Sequence, residues 1–208
     1  MKIHKIEQQS PEWFEIKKGK MSASHAQAIG NCGKGLETYI LDLMAELHSS
    51  AEKEIYTNGD MERGIELEPV AREMYELENS AKIEQVGFIE IDDYTGCSPD
   101  GLIGEDGGIE IKCQDDKNHF KMILNGEKEI DSKYIWQIQM CLFLTNRKWW
   151  DYVSYNPNYK KSLLVFRIYP DKKMFESLKK GIEIGKNRIK EINKTLNEMS
   201  KQQRKAKT

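Results

Sequence analysis

The sequence lacks any long hydrophobic run. None of its apolar segments approaches the roughly 18 residues that a membrane span requires, and residues 1–13 lack the apolar core of a signal peptide. We therefore expect a cytoplasmic protein that makes no contact with a membrane. Charged residues make up 32% of the chain, which is typical of a globular protein with a very polar surface.

Cysteine and histidine are also scarce, with four of each. The cysteines are far apart and form no C-x-x-C pair, and no two histidines are four residues apart. These spacings argue against a zinc, iron–sulfur or histidine-rich metal site. We expect the cysteines to be buried thiols in a reducing compartment; they are Cys32, Cys97, Cys113 and Cys141.

Charge is unevenly distributed along a chain whose net charge is −2. Residues 186–208 carry eight Lys or Arg and two Glu, so this end is +6 and residues 1–185 are −8. A basic end on an acidic body permits contact with nucleic acid without establishing it, and a solvated terminus would look the same. We expect one domain over residues 1–208, with a core at about 10–170 and a long helix and basic tail at 171–208.

Hydrophobic periodicity predicts the fold class. Helical patterns occupy residues 10–19, the segment ending at Gly30, 36–47 and 59–79, where Pro69 is expected to bend or restart the helix. Three strands follow (82–91 and a hairpin near 98–113), then two helices, two strands and a long helix from Asp171. This order predicts an α/β (α+β) domain with a central mixed sheet flanked by helices.

The hairpin "SPDGLIGEDGGIEIKC" (98–113) carries the most informative chemistry. A turn centred near Glu105 places Asp100 opposite Glu110, and the period of two puts Glu110 and Lys112 on one face. Facing like charges destabilise a sheet, whereas a divalent cation would turn the pair into ligands. A metal, two carboxylates and a lysine are the components of phosphodiester hydrolysis. The alternative is an ordinary hairpin, because "SPDG" suits a type I turn and "EIK" suits an exposed strand.

The sequence resembles a known nuclease family in four segments. "SPDG" with the later "EIK" is similar to the PD-(D/E)xK nuclease signature, and "GCSPDGLI…GGIEIKC" resembles the lambda exonuclease family of YqaJ-like viral recombinases. "SPEWFEIKKGKMSAS" (10–24), "GIELEPVARE" (64–73) and "YIWQIQ" (134–139) resemble further motifs of that family, in the same order. The resemblance spans about residues 10–155 and implies a restriction-endonuclease-like core.

The resemblance also implies roles for individual residues. Asp100, Glu110 and the backbone carbonyl of Ile111 would hold Mg²⁺, two ions in all, with Mn²⁺ able to substitute. Lys112 would hold or polarise the attacking water. Glu68 would complete the metal site directly or through water.

Two of these assignments rest on helices. Glu66 replaces Glu68 if the register of the helix slips by two residues. Gln137 shares a helix face with Tyr134 and Cys141, so its amide is directed inward and must find partners. The resemblance implies that Gln137 faces the active site; the alternative is a core amide bonded to the backbone.

A pocket for the 5′-terminal phosphate is implied at Lys17, Ser24 and Ser98. The family pattern has arginine where this chain has Lys17, so the bidentate grip of a guanidinium is lost. A strong preference for 5′-phosphorylated ends is therefore not expected. Ser24 and Ser98 also suit a helix cap and a turn, respectively.

The resemblance implies a Mg²⁺-dependent exonuclease that degrades one strand of double-stranded DNA from its 5′ end. Its expected partners are DNA ends, a single-strand annealing protein in phage-type recombination, and two further copies in a ring-shaped homotrimer. One rival is another PD-(D/E)xK nuclease, either an endonuclease or a Cas4-like single-strand exonuclease, although the Cas4-like cysteine cluster is missing beyond Cys141. A second rival is a catalytically silent DNA-binding module.

Overall fold

A computed structural model describes residues 1–50 and 59–205. The helices in this part of the chain are α1 (Pro11–Lys17), α2 (Ala26–Asn31), α3 (Lys34–His48), α4 (Gly59–Asn79), α5 (Asp116–Asn125), α6 (Ser132–Thr145) and α7 (Lys172–Lys205). The strands are β1 (Lys2–His4), β2 (Met21–Ser22), β3 (Ile83–Glu84), β4 (Phe88–Asp92), β5 (Thr95–Cys97), β6 (Gly101–Ile103), β7 (Gly107–Cys113), β8 (Trp149–Tyr155) and β9 (Leu163–Ile168). The predicted mixture of helices and strands is confirmed. None of the helices described is both long and apolar enough to cross a membrane.

The strands form two mixed sheets, where one central sheet was expected. The order is β1-β4-β5-β2 in the four-stranded sheet and β3-β6-β7-β8-β9 in the five-stranded sheet. The predicted strand 82–91 is divided between them, because β3 pairs with β6 and β4 pairs with β1 and β5. The chain changes sheet again between β5 and β6 at Pro99, a residue that cannot donate to a strand ladder.

Strands β7 and β8 form the centre of the five-stranded sheet. They are parallel and in register from Gly107 opposite Trp149 to Cys113 opposite Tyr155. Parallel neighbours require a crossover, and this one contains α5, a 3₁₀ helix (Gly126–Glu129) and α6. The crossover brings α6 back over the sheet, where Ile138 and Cys141 join the main hydrophobic core with Tyr152.

The opposite face of the five-stranded sheet packs against α4. Ile109 and Ile111 of β7 lie in a second core with Ala71 and Tyr75 of this helix. Helix α4 runs without interruption through Pro69, so the helix does not restart there. The exposure of Pro69 at the helix surface allows the ring to be accommodated there.

Helix α7 packs on α2, α3 and α6. Its apolar residues Leu178, Ile182 and Ile189 belong to the main core. The contact with α2 is very close, because a Cβ added at Gly181 would lie 1.9 Å from the backbone oxygen of Ile29. The first half of α7 is therefore part of the core. Of the predicted basic end, Lys207 lies outside the described residues.

Candidate active site

The β6–β7 hairpin has the register that the sequence predicts. Gly101 pairs with Ile109 and Ile103 with Gly107, and Gly104 in the turn has φ +54°. Extending this register by one residue places Asp100 opposite Glu110. An Oδ2 atom of Asp100 accepts a hydrogen bond of 2.6 Å from the backbone N–H of Ile111. The turn therefore sets two carboxylates beside each other at the end of the hairpin.

Glu110 is the most deeply buried acid of the site, with 0% exposure. Its Oε1 atom lies 2.5 Å from Nζ of Lys112 and accepts a 2.7 Å hydrogen bond from Nε2 of Gln137. Its Oε2 atom is buried and has no hydrogen-bond partner among the described residues. Burial, and then the charge of Asp100, raise the pKa of Glu110 to about 7.

Helix α4 contributes a third carboxylate. Glu68 faces the cleft and contacts the guanidinium of Arg72, one turn along the helix, whereas Glu66 is exposed. Burial and the charge of Asp100 raise the pKa of Glu68 to about 7 as well. The structure therefore favours Glu68 over the alternative Glu66.

Lys112 carries the positive charge of the site. Its Nζ atom pairs with Glu110 and lies 5.1 Å from the centre of the Tyr134 ring. Burial acts to lower the pKa of Lys112, but the negative charges of Glu110 and Asp100 outweigh it, so this pKa is raised. Lys112 therefore remains an ammonium that donates hydrogen bonds.

The donor set fits a hard divalent cation. Glu68, Asp100 and Glu110 are close enough to interact electrostatically, the pKa values of Glu68 and Glu110 are raised, and one buried oxygen of Glu110 lacks a partner among the described residues. Protein groups hold one oxygen of each carboxylate: Arg72 contacts Glu68, the Ile111 amide contacts Asp100, and Lys112 and Gln137 contact Glu110. In this arrangement, no three His, Cys, Asp or Glu side chains of the described ranges surround a common point. Ion binding would thus require these side chains to exchange partners.

Gln137 lies where the helix face of α6 predicts, directed inward with Tyr134 and Cys141. Its amide nitrogen donates to Glu110 Oε1. It therefore fixes the orientation of the buried carboxylate. Ile111, whose carbonyl is the remaining predicted ligand, lines the same cleft.

Two of the three residues implied for a terminal-phosphate pocket, Lys17 and Ser98, contact Trp13. Its indole Nε1 donates to Ser98 Oγ at 2.9 Å, and Lys17 Nζ lies 4.2 Å from the centre of a Trp13 ring. Ser24 Oγ is 3.0 Å from Ser22 Oγ, and Ser22 lines a cavity of about 140 Å³ with Lys17. Ser24 and Ser98 do not line that cavity, so the structure links the three residues without gathering them in one pocket.

Three cavities follow one another through the site. The central one, about 460 Å³, is lined by Glu68, Ile111 and Lys112. A second, of about 190 Å³, shares Glu68 with it and reaches Asp100. A third, of about 420 Å³, shares Tyr134 with the central cavity and lies between α5 and the start of α6. The second and third cavities share no lining residue, so they leave the centre in different directions.

Sequence reasoning missed two residues that line the cleft. Arg72 contacts Glu68, and the spacing of four residues on a helix is a signal that could have indicated it. Gln9 lines the first two cavities in a left-handed conformation, with φ +65°. Nothing in the local sequence marks Gln9 for that conformation.

Comparison with known proteins gave one family and several related structures. The family model of the YqaJ-like viral recombinase domain matches residues 12–148. An alkaline exonuclease (LHK-Exo) from Laribacter hongkongensis is 28% identical with a TM-score of 0.83, covering 93% of this chain and 99% of that one; a structure of it in complex with dAMP matches equally well. A phage-related exonuclease from Haemophilus somnus 129PT is 12% identical with a TM-score of 0.67, covering 85% and 96% of the two chains, which shows a shared fold. No match was found among curated proteins.

Proposed function

Because the chain belongs to the family of YqaJ-like viral recombinase domains, we propose that it is a DNA exonuclease that needs Mg²⁺ and degrades one strand of a duplex from its 5′ end. The 28% identity to an alkaline exonuclease over nearly the whole chain supports the exonuclease class. The dAMP bound to that relative is consistent with a site that accommodates a nucleoside monophosphate.

The observation that carries this proposal is the unpartnered Oε2 atom of Glu110. A buried carboxylate oxygen without a donor is costly, and a cation at this position would remove the cost. Asp100, Glu110, Glu68 and the carbonyl of Ile111 would hold two Mg²⁺ ions, with Mn²⁺ as a substitute. The bound metal would supply an activated water and neutralise charge on the phosphate.

The remaining residues have roles that follow from their contacts. Lys112 places an ammonium beside the carboxylates, where it can orient a water and stabilise negative charge that develops on the phosphate. Gln137 holds Glu110 in one orientation. Arg72 holds Glu68 at the cleft.

Digestion of labelled DNA tests the proposal. The protein is incubated with Mg²⁺ and linear duplex labelled at either end, beside covalently closed plasmid and single-stranded DNA. We expect loss of the 5′ label from linear duplex and no nicking of the plasmid. Asp100→Ala and Lys112→Ala should abolish cleavage, while the control Asp106→Ala, which removes an exposed acid paired with Lys148 at the hairpin turn, should not.

Other outcomes identify the rivals. Nicked plasmid would indicate an endonuclease, and preferential loss of single-stranded DNA a Cas4-like exonuclease. DNA binding with no divalent binding by calorimetry would indicate a silent module. Cleavage that survives both active-site variants, or that needs no divalent metal, contradicts the proposed site.

The terminal-phosphate contacts give a second test. We propose that Lys17, Ser24 and Ser98 contact the 5′ end, and that Lys17 confers a weaker preference for 5′-phosphate than arginine would. The ratio of rates on 5′-phosphate and 5′-hydroxyl ends should therefore increase in Lys17→Arg. An unchanged ratio would indicate that Lys17 does not contact the 5′-terminal phosphate.

Family membership also suggests how the activity is used. We propose a homotrimer that encircles DNA and leaves 3′ single strands for a phage-type annealing protein in the cytoplasm of a bacterial host. Light scattering should then give the mass of three 24.2 kDa chains. The mass of one chain would contradict the ring.

A further inference from the structure

The third cavity is an open groove that continues the active-site cleft. We call it the α5–α6 groove; it is bounded by Gln114, Asn118, Lys121, Lys128, Lys133 and Tyr134. Four of these residues, Gln114, Asn118, Lys133 and Tyr134, also line the central cavity. The groove is therefore directly adjacent to the central cavity. The cavity that reaches Asp100 lies on the other side, beside residues 6–9, which precede α1.

The groove has two cations that are not needed for the fold. Lys121 and Lys128 are exposed, and neither has a carboxylate partner in the part of the chain that the structure describes. Strong attraction to an anion is available only to charges that are not already paired. These two lysines are therefore free to contact phosphates.

The acids of the groove, by contrast, are engaged locally. Asp131 accepts from the backbone N–H of Lys133 at the start of α6 and lies 3.4 Å from the ammonium of the same residue. Glu129 accepts a 2.7 Å hydrogen bond from Asn125. The charge of Asp131 is therefore partly compensated by Lys133, whereas the neutral amide of Asn125 leaves the charge of Glu129 in place. With Lys121 and Lys128 set against Glu129, the groove lining keeps a net positive charge.

The floor of the groove is held in place. The side chain of Gln114 donates to Tyr152 at 2.8 Å, and its backbone oxygen accepts from Arg63 and Asn156. Asn118 donates to Asp115, which caps α5. A preorganised surface loses little entropy when a ligand binds. The volume of about 420 Å³ lies within the range of about 300–1,000 Å³ typical of ligand sites.

We propose that the α5–α6 groove binds the sugar–phosphate backbone of the strand being digested, on the side of the cleaved bond that remains attached to the duplex. This inference rests on the proposed exonuclease function. The 5′ end would lie towards α1, so the continuing strand leaves the cleft through the groove. Two unpaired cations along an open groove fit the successive phosphates of a nucleic-acid strand, whereas a released mononucleotide carries only one phosphate.

The test compares a long and a small substrate. In Lys121→Ala/Lys128→Ala, we expect KM for linear duplex to rise roughly tenfold, and the slope of log(kcat/KM) against log salt to become shallower by about 1.5, since each lost phosphate contact contributes about 0.7–0.9. The kcat value and the hydrolysis of thymidine 5′-(p-nitrophenyl phosphate), which is too short to reach the groove, should not change. Lys121→Arg/Lys128→Arg should restore KM.

The matched control is Lys179→Ala/Lys180→Ala, which removes the same charge from an exposed part of α7. It should leave both KM and the salt slope close to the wild-type values. An unchanged KM in the groove variant would overturn the inference. Equal loss on the small ester would also overturn it, because the lysines would then act on the site itself.

Binding without cleavage separates this inference from the proposed function. Fluorescence anisotropy of a short oligothymidylate, in EDTA, reports the groove even if the protein digests no duplex. If only the groove variant binds the oligothymidylate more weakly than wild type, the result supports DNA binding by the α5–α6 groove, whatever the nuclease assay shows. Equal binding by wild type and variant would refute the groove even if the protein is an exonuclease.

Discussion

Two buried carboxylates on neighbouring strands differ in how completely they are hydrogen bonded. Glu110 on β7 is 0% exposed and Asp151 on β8 is 1% exposed. Asp151 lies opposite Ile109 in the parallel ladder, so the two acids are directed to opposite faces of the same sheet. Each has a positively charged neighbour, Lys112 for Glu110 and Arg167 for Asp151.

The difference is in the oxygen atoms. Both oxygens of Asp151 accept hydrogen bonds from Arg167, at 2.8 and 2.9 Å, and Tyr75 donates another at 2.6 Å. Burial and the bond to Asp151 also raise the pKa of the Tyr75 hydroxyl. Glu110 keeps one oxygen without a hydrogen-bond partner within residues 1–50 and 59–205. A fully bonded acid stabilises the fold, whereas a partly bonded one retains the capacity to bind a ligand.

Neutralising Glu110 should have the largest effect, and the effect should be on catalysis. In Glu110→Gln we expect kcat on linear duplex to fall about 10³-fold, as for loss of a group that stabilises charge directly. The free energy of unfolding should fall by no more than about 1 kcal/mol, because burial already makes the charge of Glu110 unfavourable, as its raised pKa indicates, and Asp100 remains as an anion near Lys112. Urea denaturation beside the cleavage assay would measure both. A large stability loss with retained activity would reverse the comparison.

Neutralising Asp151 should have the opposite pattern. Asp151→Asn leaves a guanidinium without its bidentate partner at the sheet, and we expect a loss of about 3 kcal/mol, the low end for a broken buried pair because Arg167 can reach water. The kcat value should remain within a few-fold of wild type. A drop in kcat comparable to that of Glu110→Gln would mean that Asp151 also takes part in the reaction.

Adding Mg²⁺ should stabilise the wild-type protein by binding at Glu110. At a concentration one hundred times Kd, linkage predicts a gain of about 2.7 kcal/mol, which corresponds to a higher Tm. Asp151→Asn should gain as much, and Glu110→Gln should gain little. Sodium chloride at matched ionic strength controls for screening. An equal gain in all three proteins would place the ion elsewhere.

The smallest effect should come from one partner of Asp151. Tyr75→Phe removes a single hydrogen bond, and we expect it to cost about 1 kcal/mol without altering kcat or the response to Mg²⁺. Calorimetric unfolding measures the change. A loss as large as that of Asp151→Asn would assign the stability of this network to Tyr75 and not to Arg167.

The predictions from sequence are most accurate for features that depend on interactions between residues close together in the chain. The hairpin register follows from its short turn and from alternation around Glu105, and α6 directs Gln137 inward because helical spacing sets its face. The short strands β1 and β2 were missed, since two or three residues carry no period. The strand at 82–91 was predicted as one because the division at Gly87 depends on a tertiary contact: a Cβ there would lie 2.3 Å from the backbone oxygen of Ile6.

The site shows the same division. Asp100, Glu110 and Lys112 share one hairpin, so their proximity could be predicted from spacing. The choice of Glu68 over Glu66 depends on how α4 docks, and the left-handed Gln9 depends on how the chain enters α1. The unpartnered oxygen of Glu110 depends on every neighbour at once and has no counterpart in the sequence.

The close approach of Gly181 to α2 has a consequence for proteolysis and for shortened versions of this protein. Residues up to about 192 of α7 fill the core, while Lys194 and Lys201 are exposed. Limited trypsin digestion should therefore remove the end of α7 and leave a folded, active product. A chain that stops at residue 171 should fail to fold, because Ile29, Met21 and Ile40 would lose the surface that covers them.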